Sequence, residues 1–158
     1  MMKRLLLACL LVAPTMAWAQ AVADVAPRPG WVVMPTAKTF ETLVADTRAA
    51  AGAGGLAVVT MAGPTGAAAR RGIDIPGNRV IGLYNNDFAV RVLRLSTAAM
   101  IEAPIRVYVT ENADGTATLS YKLPSQIFAP YMAEAPRLQP IALELDAAFE
   151  QVSTAAAR

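Results

Sequence analysis

The sequence contains no histidine, and its single cysteine is Cys9, close to the N-terminus. Imidazole and thiolate are the donors on which most zinc, copper and haem sites rest, so these sites are not expected. Nucleophilic catalysis of the Ser-His and Cys-His types is excluded for the same reason. We therefore predict no metal ion and no cofactor, and we assign no catalytic residue.

Residues 1–19 follow the order of a secretory signal peptide. Two basic residues precede an apolar stretch from Leu5 to Ala13, and the small-x-small sequence AWA then ends at Ala19. The apolar stretch is much shorter than the roughly 20 residues of a membrane-spanning helix. We predict cleavage near Ala19, a periplasmic or secreted location, and no stable insertion in a membrane.

Cys9 also permits a lipoprotein interpretation, in which LLAC is the acylation site and Cys9 becomes the modified N-terminus. The apolar stretch ahead of the cut would then run only from Leu5 to Ala8. Export signals use roughly 7 to 15 apolar residues, so cleavage near Ala19 is the favoured prediction.

Loss of residues 1–19 changes the charge of the chain. The full sequence has 14 basic and 12 acidic residues, but Lys3 and Arg4 leave with the leader, so 12 of each remain. A neutral domain lacks the positive field that attracts phosphate backbones, and we expect no nucleic-acid partner. A membrane-surface adaptor is disfavoured as well, because no basic amphipathic helix is present.

Residues 20–30 are rich in proline and predict a tether, and residues 31–158 predict one α+β domain. We expect a single, mainly antiparallel sheet covered by helices, with a C-terminal β-hairpin and a final helix. Three strands are predicted before the hairpin, at Trp31–Pro35, Leu56–Ala62 and Arg79–Asn85. The hairpin is indicated by apolar residues that alternate with polar ones on either side of the turn NADG: Ile105, Val107, Val109, Leu119, Tyr121 and Leu123.

The helices are predicted from apolar residues at helical spacing. The first helix, with Thr36 as its N-cap, is indicated by four residues: Phe40, Leu43, Val44 and Thr47. A short helical turn is expected at Pro64, and another helix begins at about Asp87. The last helix, from about Pro140, has one face formed by Ile141, Leu145, Phe149 and Val152.

The helix from Asp87 is apolar around most of its circumference, and only Arg91 and Arg94 form a narrow polar stripe. A helix of this kind is usually buried on more than one side. In a domain of this size the second cover would come from another chain, and we predict a homodimer. The alternative is cover by the C-terminal segment of the same chain.

Three polar residues, Asn85, Asn86 and Asp87, join the third predicted strand to this helix. Their side chains are suited to accept hydrogen bonds from the unpaired N–H groups of a helix start, so capping explains all three. We expect Asn86→Ala to cost roughly 0.5 to 2 kcal/mol of stability for that reason. The alternative is a small polar ligand at the same N–H groups, where Asp87 would oppose an anion. The candidate ligand-binding residues are Asn85, Asn86, Asp87, Arg106 and Tyr121.

The runs NRVIGLYNNDFAVRVL and IEAPIRVYVTENADGTATLSYKLP resemble the domain of unknown function 302 family. The residues that carry the resemblance lie between 38 and 131: Asn85 with Asn86, Ala103 with Pro104, Asp114 with Gly115, and Tyr121 with Pro124. The resemblance implies an α+β domain, often dimeric, with no assigned activity. Many relatives carry Asp-His after the second strand, where this chain has TMAGPTG, so any polar role of that histidine is absent here.

Two functions remain after these exclusions. The first is an exported, non-catalytic binding or assembly domain that acts as a homodimer and holds a small polar ligand. The second is a hydrolase or isomerase that works without histidine, using carboxylate, Arg and Tyr groups. Ser120 and Lys122 share one strand face, which we interpret as surface polarity rather than as a Ser-Lys dyad.

Overall fold

The structure, a computed structural model, describes residues 23–158, so the predicted signal peptide lies outside the described residues. Five strands form one antiparallel sheet in the order β1-β5-β4-β3-β2. They are β1 (Trp31–Thr36), β2 (Ala57–Ala62), β3 (Asn78–Tyr84), β4 (Ile105–Glu111) and β5 (Ala117–Lys122). The prediction of an α+β fold with one antiparallel sheet and a β-hairpin is confirmed.

Five α-helices accompany the sheet in the described part of the chain. They are α1 (Phe40–Ala53), α2 (Thr65–Ala69), α3 (Asn86–Leu95), α4 (Pro124–Phe128) and α5 (Leu138–Ala157). Short 3-10 helices occupy Ala99–Glu102 and Ala129–Tyr131. None of the helices within residues 23–158 is both long enough and apolar enough to cross a membrane.

The start of α1 differs from the prediction. Thr36 is the last residue of β1, and its hydroxyl donates to the carbonyl oxygen of Ala117 on β5 at 2.8 Å. The N-cap is Thr39, whose side-chain oxygen accepts from the backbone N–H of Thr42 at 3.3 Å. The prediction that Thr36 is the N-cap of α1 is therefore wrong, because the strand continues one residue beyond Pro35 and the helix begins only at Phe40.

The sheet has two different faces, because side chains alternate along each strand. The inner face is apolar, buried and covered by helices, and its central members are Ile81, Leu83, Ile105, Val107, Val109, Leu119 and Tyr121. The outer face carries the alternate residues, which are more polar: Trp31, Val33, Asn78, Val80, Arg106, Tyr108, Ser120 and Lys122.

The helices α1 and α5 pack together over the inner face. The predicted apolar face of α5 is buried, and its members are Ile141, Leu145, Phe149 and Val152. In α1, Leu43 is fully buried, and the buried Thr47 satisfies its hydroxyl by donating to the Leu43 carbonyl oxygen at 2.6 Å. Each fully buried apolar side chain contributes about 1.5–3 kcal/mol, so this layer supplies most of the stabilisation of the fold.

One glycine allows close packing on the outer face. Gly82 of β3 pairs with Arg106 of β4 and with Thr60 of β2. A Cβ atom at this position would lie 2.9 Å from Cγ of Pro104 and would also collide with the Thr60 hydroxyl. The missing side chain therefore lets the segment before β4 approach the sheet.

Candidate functional site

The predicted site residues occupy three separate places. Asn85, Asn86 and Asp87 lie at the start of α3, Arg106 lies on the outer face of β4, and the Tyr121 side chain lies on the inner face of β5. The structure does not bring these five residues into one site, but Arg106 and Tyr121 both line a groove over the outer face of the sheet.

Asn85 is the N-cap of α3. Its Oδ1 accepts from the backbone N–H groups of Asp87 at 2.9 Å and of Phe88 at 3.1 Å, and its Nδ2 donates to the carbonyl oxygen of Gly55 at 3.0 Å. Asn86 is the first residue of the helix and is exposed. The predicted helix start is confirmed, but the assignment of the cap to Asn86 is wrong, because the strand ends one residue earlier and Asn85 has the extended backbone that a cap requires.

Asn85 also lines a small inner cavity of about 30 Å³, whose other lining residues are almost all apolar, including Leu83, Phe88 and Phe149. The cavity lies on the helix side of the sheet and is separate from Arg106. Of the three polar residues at the start of α3, Asn85 is therefore the one whose side chain caps the helix.

Tyr121 belongs to the core. Its side chain is 2 % exposed, and the centroid of its ring lies 5.6 Å from that of Phe149 on α5. Burial raises the pKa of the Tyr121 hydroxyl, and a hydrogen bond with Ser153 opposes that shift. The side chain thus faces the helices and not the outer face that carries Arg106.

A groove of about 780 Å³ lies over the outer face at the end where β1 begins and β5 ends. Side chains of three central strands form its floor, α4 contributes Gln126 and Ile127 to its wall, and Pro29 and Gly30 line it ahead of β1. The outer-face residues in its lining are Trp31, Asn78, Val80, Arg106, Tyr108 and Lys122. Its volume is in the range of small-molecule sites, about 300–1,000 Å³.

Two cations stand side by side on the floor of the groove. The β4-β5 ladder ends at the pair Val107–Tyr121, and Arg106 and Lys122 are the next residue on each strand, both exposed on the outer face. Within residues 23–158 neither cation forms an ion pair, and the ion pairs that do form are Lys38–Asp46 and Arg91–Glu144. Like charges directly opposite each other on neighbouring strands are destabilising. The arrangement therefore favours an anionic group between them.

Trp31 stands at the β1 edge of the same row, because it pairs with Lys122. The ammonium group of Lys122 lies 5.6 Å from the indole centroid, and the guanidinium of Arg28 lies 5.2 Å from it. Both distances are within the range of cation–π attraction, which is about 6 Å. The indole thus positions the Lys122 ammonium group over the groove floor. Because charged groups lie beside it, the fluorescence of Trp31 should respond to a change of charge in the groove.

One carboxylate also lines the groove. Glu102 accepts a hydrogen bond from the hydroxyl of Tyr131 at 2.7 Å. This hydrogen bond raises the pKa of Tyr131, so the phenol remains protonated at neutral pH and acts as a donor to Glu102. The lining side chains therefore combine two positive charges with a single negative charge.

Ser120 is buried, although the sequence predicted it on the exposed polar surface of the strand. It lies on the outer face between Tyr108 and Val33, but it is 0 % exposed, and its hydroxyl has no hydrogen-bond partner within the described chain. The alternation along β5 correctly placed Ser120 with Lys122. It did not reveal the larger neighbours on the flanking strands that bury the hydroxyl.

Trp31 and Glu102 were not among the predicted site residues. Trp31 lies at the groove because β1 pairs with β5, a strand far from it in the sequence. Glu102 comes to the groove from the 3-10 helix Ala99–Glu102. The sequence signal for Trp31 was its position at the start of a strand, which does not identify the neighbouring strand. Within residues 23–158 no three acidic, His or Cys side chains gather closely enough to hold a metal ion.

The fold and groove define an α+β domain with helices on one face of a single sheet and a polar groove on the other. A model of the family described as "Domain of unknown function DUF302" matches residues 32–156, and the chain belongs to this family. The crystal structure of an uncharacterized conserved DUF302 protein from Bacillus stearothermophilus has a TM-score of 0.72 at 16% identity, covering 83% of this chain and 100% of that chain. This likeness shows a shared fold. A search of the curated proteins found no match.

Proposed function

We propose that the protein is an exported, non-catalytic binding domain that acts as a homodimer and holds a small polar ligand in the outer groove. The observation that carries the proposal is the juxtaposition of Arg106 and Lys122 on the groove floor without an ion-pair partner in the described chain. Two adjacent cations cost stability unless a further group compensates them. Such a cost is typical of a site kept for binding.

Trp31 provides the test of ligand binding. The sequence has two tryptophans, and cleavage near Ala19 would remove Trp18, so that Trp31 alone reports from the groove. A chemically mixed set of small neutral, cationic and anionic compounds should include members that change the fluorescence of residues 20–158 saturably.

Val80→Phe fills the groove floor, and Val59→Phe is its matched control, because Val59 is 49 % exposed on β2 and does not line the groove. The fluorescence response should be lost in Val80→Phe and kept in Val59→Phe. Equal responses in the two variants, or no saturable response to any compound in the wild-type chain, would exclude a ligand site in the groove.

Export is supported by the basic start, the short apolar stretch and the AWA sequence that ends at Ala19. Expression of the whole chain in a bacterial host should deliver a periplasmic product whose intact mass corresponds to residues 20–158. A product that begins at an acylated Cys9, or one that retains residues 1–19, would contradict the proposal.

The homodimer is supported by the surface of α3. Ala89 and Val92 are buried, and Arg91 pairs with Glu144 of α5, but Val90 and Leu93 are 39 % and 50 % exposed. The contact with α5 covers one side of the helix, so the apolar side that remains would be covered by a second copy of the chain.

Light scattering at micromolar concentration should give the mass of two chains. Leu93→Asp should give one chain with an unchanged circular dichroism spectrum, whereas Val59→Asp, an equally exposed site on β2, should leave the dimer intact. A monomeric wild-type chain would reject the dimer, and a dimer that persists in Leu93→Asp would place the interface elsewhere.

A second candidate is the hydrolase or isomerase without histidine. The observation in its favour is that Glu102, Arg106 and Tyr108 all line the groove. Binding is preferred because Glu102 already accepts the Tyr131 hydrogen bond. Turnover of an ester or amide that disappears in Glu102→Gln, while the variant keeps its fold, would favour the enzyme.

A further inference from the structure

We infer that the groove recognises a small organic acid with one carboxylate and an apolar body. The inference rests on the proposed function, since it specifies the ligand of the same groove. It identifies the chemical class through three properties of the lining: the positions of the cations, the net charge and the apolar wall.

The carboxylate would lie between Arg106 and Lys122. These residues project from neighbouring strands on the same face, where opposite side chains have Cβ atoms about 4.5–5.5 Å apart. A guanidinium matches a carboxylate with two parallel N–H donors, and an ammonium adds a point charge beside it. The ammonium group of Lys122 already contacts the Trp31 ring. Arg106 would therefore donate the main hydrogen bonds to the carboxylate.

The charge around the groove favours an acid. Among the lining residues, Arg106 and Lys122 supply two positive charges and Glu102 supplies one negative charge, and the guanidinium of Arg28 adds a positive charge beside the Trp31 indole. The two lining cations form a single pair, which suits one carboxylate.

The rest of the ligand would be apolar. Beside its polar residues, the groove is lined by aromatic and aliphatic side chains, which are Pro29, Trp31, Val80, Tyr108, Ile127 and Pro130. Burial of apolar ligand surface against them contributes roughly 25 cal/mol per Å². A simple inorganic anion would leave these walls without a contact.

The test compares three probes on residues 20–158, followed by the fluorescence of Trp31: benzoate, benzamide and inorganic phosphate. Benzoate should bind saturably. Benzamide has a similar shape but no charge, and its NH2 group cannot accept the second hydrogen bond from the guanidinium, so it should bind at least about tenfold more weakly. Inorganic phosphate should not compete with benzoate at equal concentration.

Arg106→Gln should weaken benzoate at least about tenfold by the same reasoning, and calorimetry would confirm the affinity independently of fluorescence. Arg48→Gln on α1 is the matched control, because Arg48 is exposed and does not line the groove. Thermal unfolding of both variants would show that each remains folded.

Three results would overturn the inference. Equal binding of benzamide and benzoate, lost in Val80→Phe, would keep the groove as a binding site and remove the role of the charge. Phosphate binding as tight as that of benzoate would remove the role of the apolar walls. Absence of benzoate binding, while a compound of another class binds in the mixed set, would reject the organic acid and leave the proposed binding function standing.

Discussion

Replacement of Asn85 by alanine should destabilise the protein through the start of α3. The side chain makes two cap hydrogen bonds to backbone N–H groups and donates a third hydrogen bond to the carbonyl oxygen of Gly55, just ahead of β2. Loss of an N-cap costs about 0.5–2 kcal/mol, and loss of a further hydrogen bond costs about 0.5–1.5 kcal/mol. Because Asn85 is half-buried, we expect a total of about 1–3 kcal/mol.

Urea unfolding of residues 20–158 measures this cost as a lower midpoint at an unchanged slope. Two further variants separate the contributions. Asn85→Asp keeps the cap oxygen but cannot donate to Gly55, so its cost should be intermediate. Asn86→Ala removes an exposed side chain, and its cost should stay within about 0.5 kcal/mol. The reasoning would be refuted if Asn86→Ala cost as much as Asn85→Ala, or if neither variant moved the midpoint.

The remaining predictions concern a buried hydroxyl, a glycine and a turn carboxylate. Ser120→Ala should raise the urea midpoint, because it removes a buried hydroxyl that has no hydrogen-bond partner within residues 23–158; a lower midpoint would refute this account. Gly82→Ala should cost about 1–3 kcal/mol through overpacking, and a wild-type midpoint would argue against the close contact. Hydrogen bonds from Thr116 lower the pKa of Asp114 in the folded protein. The ionised carboxylate therefore stabilises the folded state above the usual Asp pKa of about 3.9, and this contribution is lost as the pH falls through the lowered pKa of the folded state. Asp114→Asn should therefore lose less stability than the wild-type chain between about pH 5 and pH 2 in urea titrations, and equal losses would contradict the assignment.

The parts of the fold that the sequence predicted best are those with local periodicity. The hairpin and α5 each repeat apolar residues at the spacing of one face, and both were found where the pattern placed them. The same alternation sets Tyr121 beside Leu119, which indicates the inner face, so the core position of Tyr121 was already contained in the pattern.

The groove was not predictable in the same way, because it depends on which strands become neighbours. Arg106 and Lys122 lie on the two strands of the hairpin, next to the last paired residues Val107 and Tyr121, so their proximity is local. Trp31 joins them only because β1 inserts beside β5, and the sequence carries no short-range signal for that choice. The exact helix starts were also not predicted. Thr39 and not Thr36 caps α1, and Asn85 and not Asn86 caps α3, because neighbouring residues of the same type are equally suited to be a cap.

The pairing of β1 with β5 affects the order in which the chain can acquire its structure. A chain is synthesised from its N-terminal end, so Trp31–Thr36 is present long before Ala117–Lys122 is available to pair with it. Contacts between distant parts of a chain form slowly, because the intervening loop must be closed first. During that interval β1 would be an unpaired apolar segment, exposed to chaperones and to other chains. The groove has lining residues from Pro29 to Pro130, so it is completed only when these distant parts of the chain have come together.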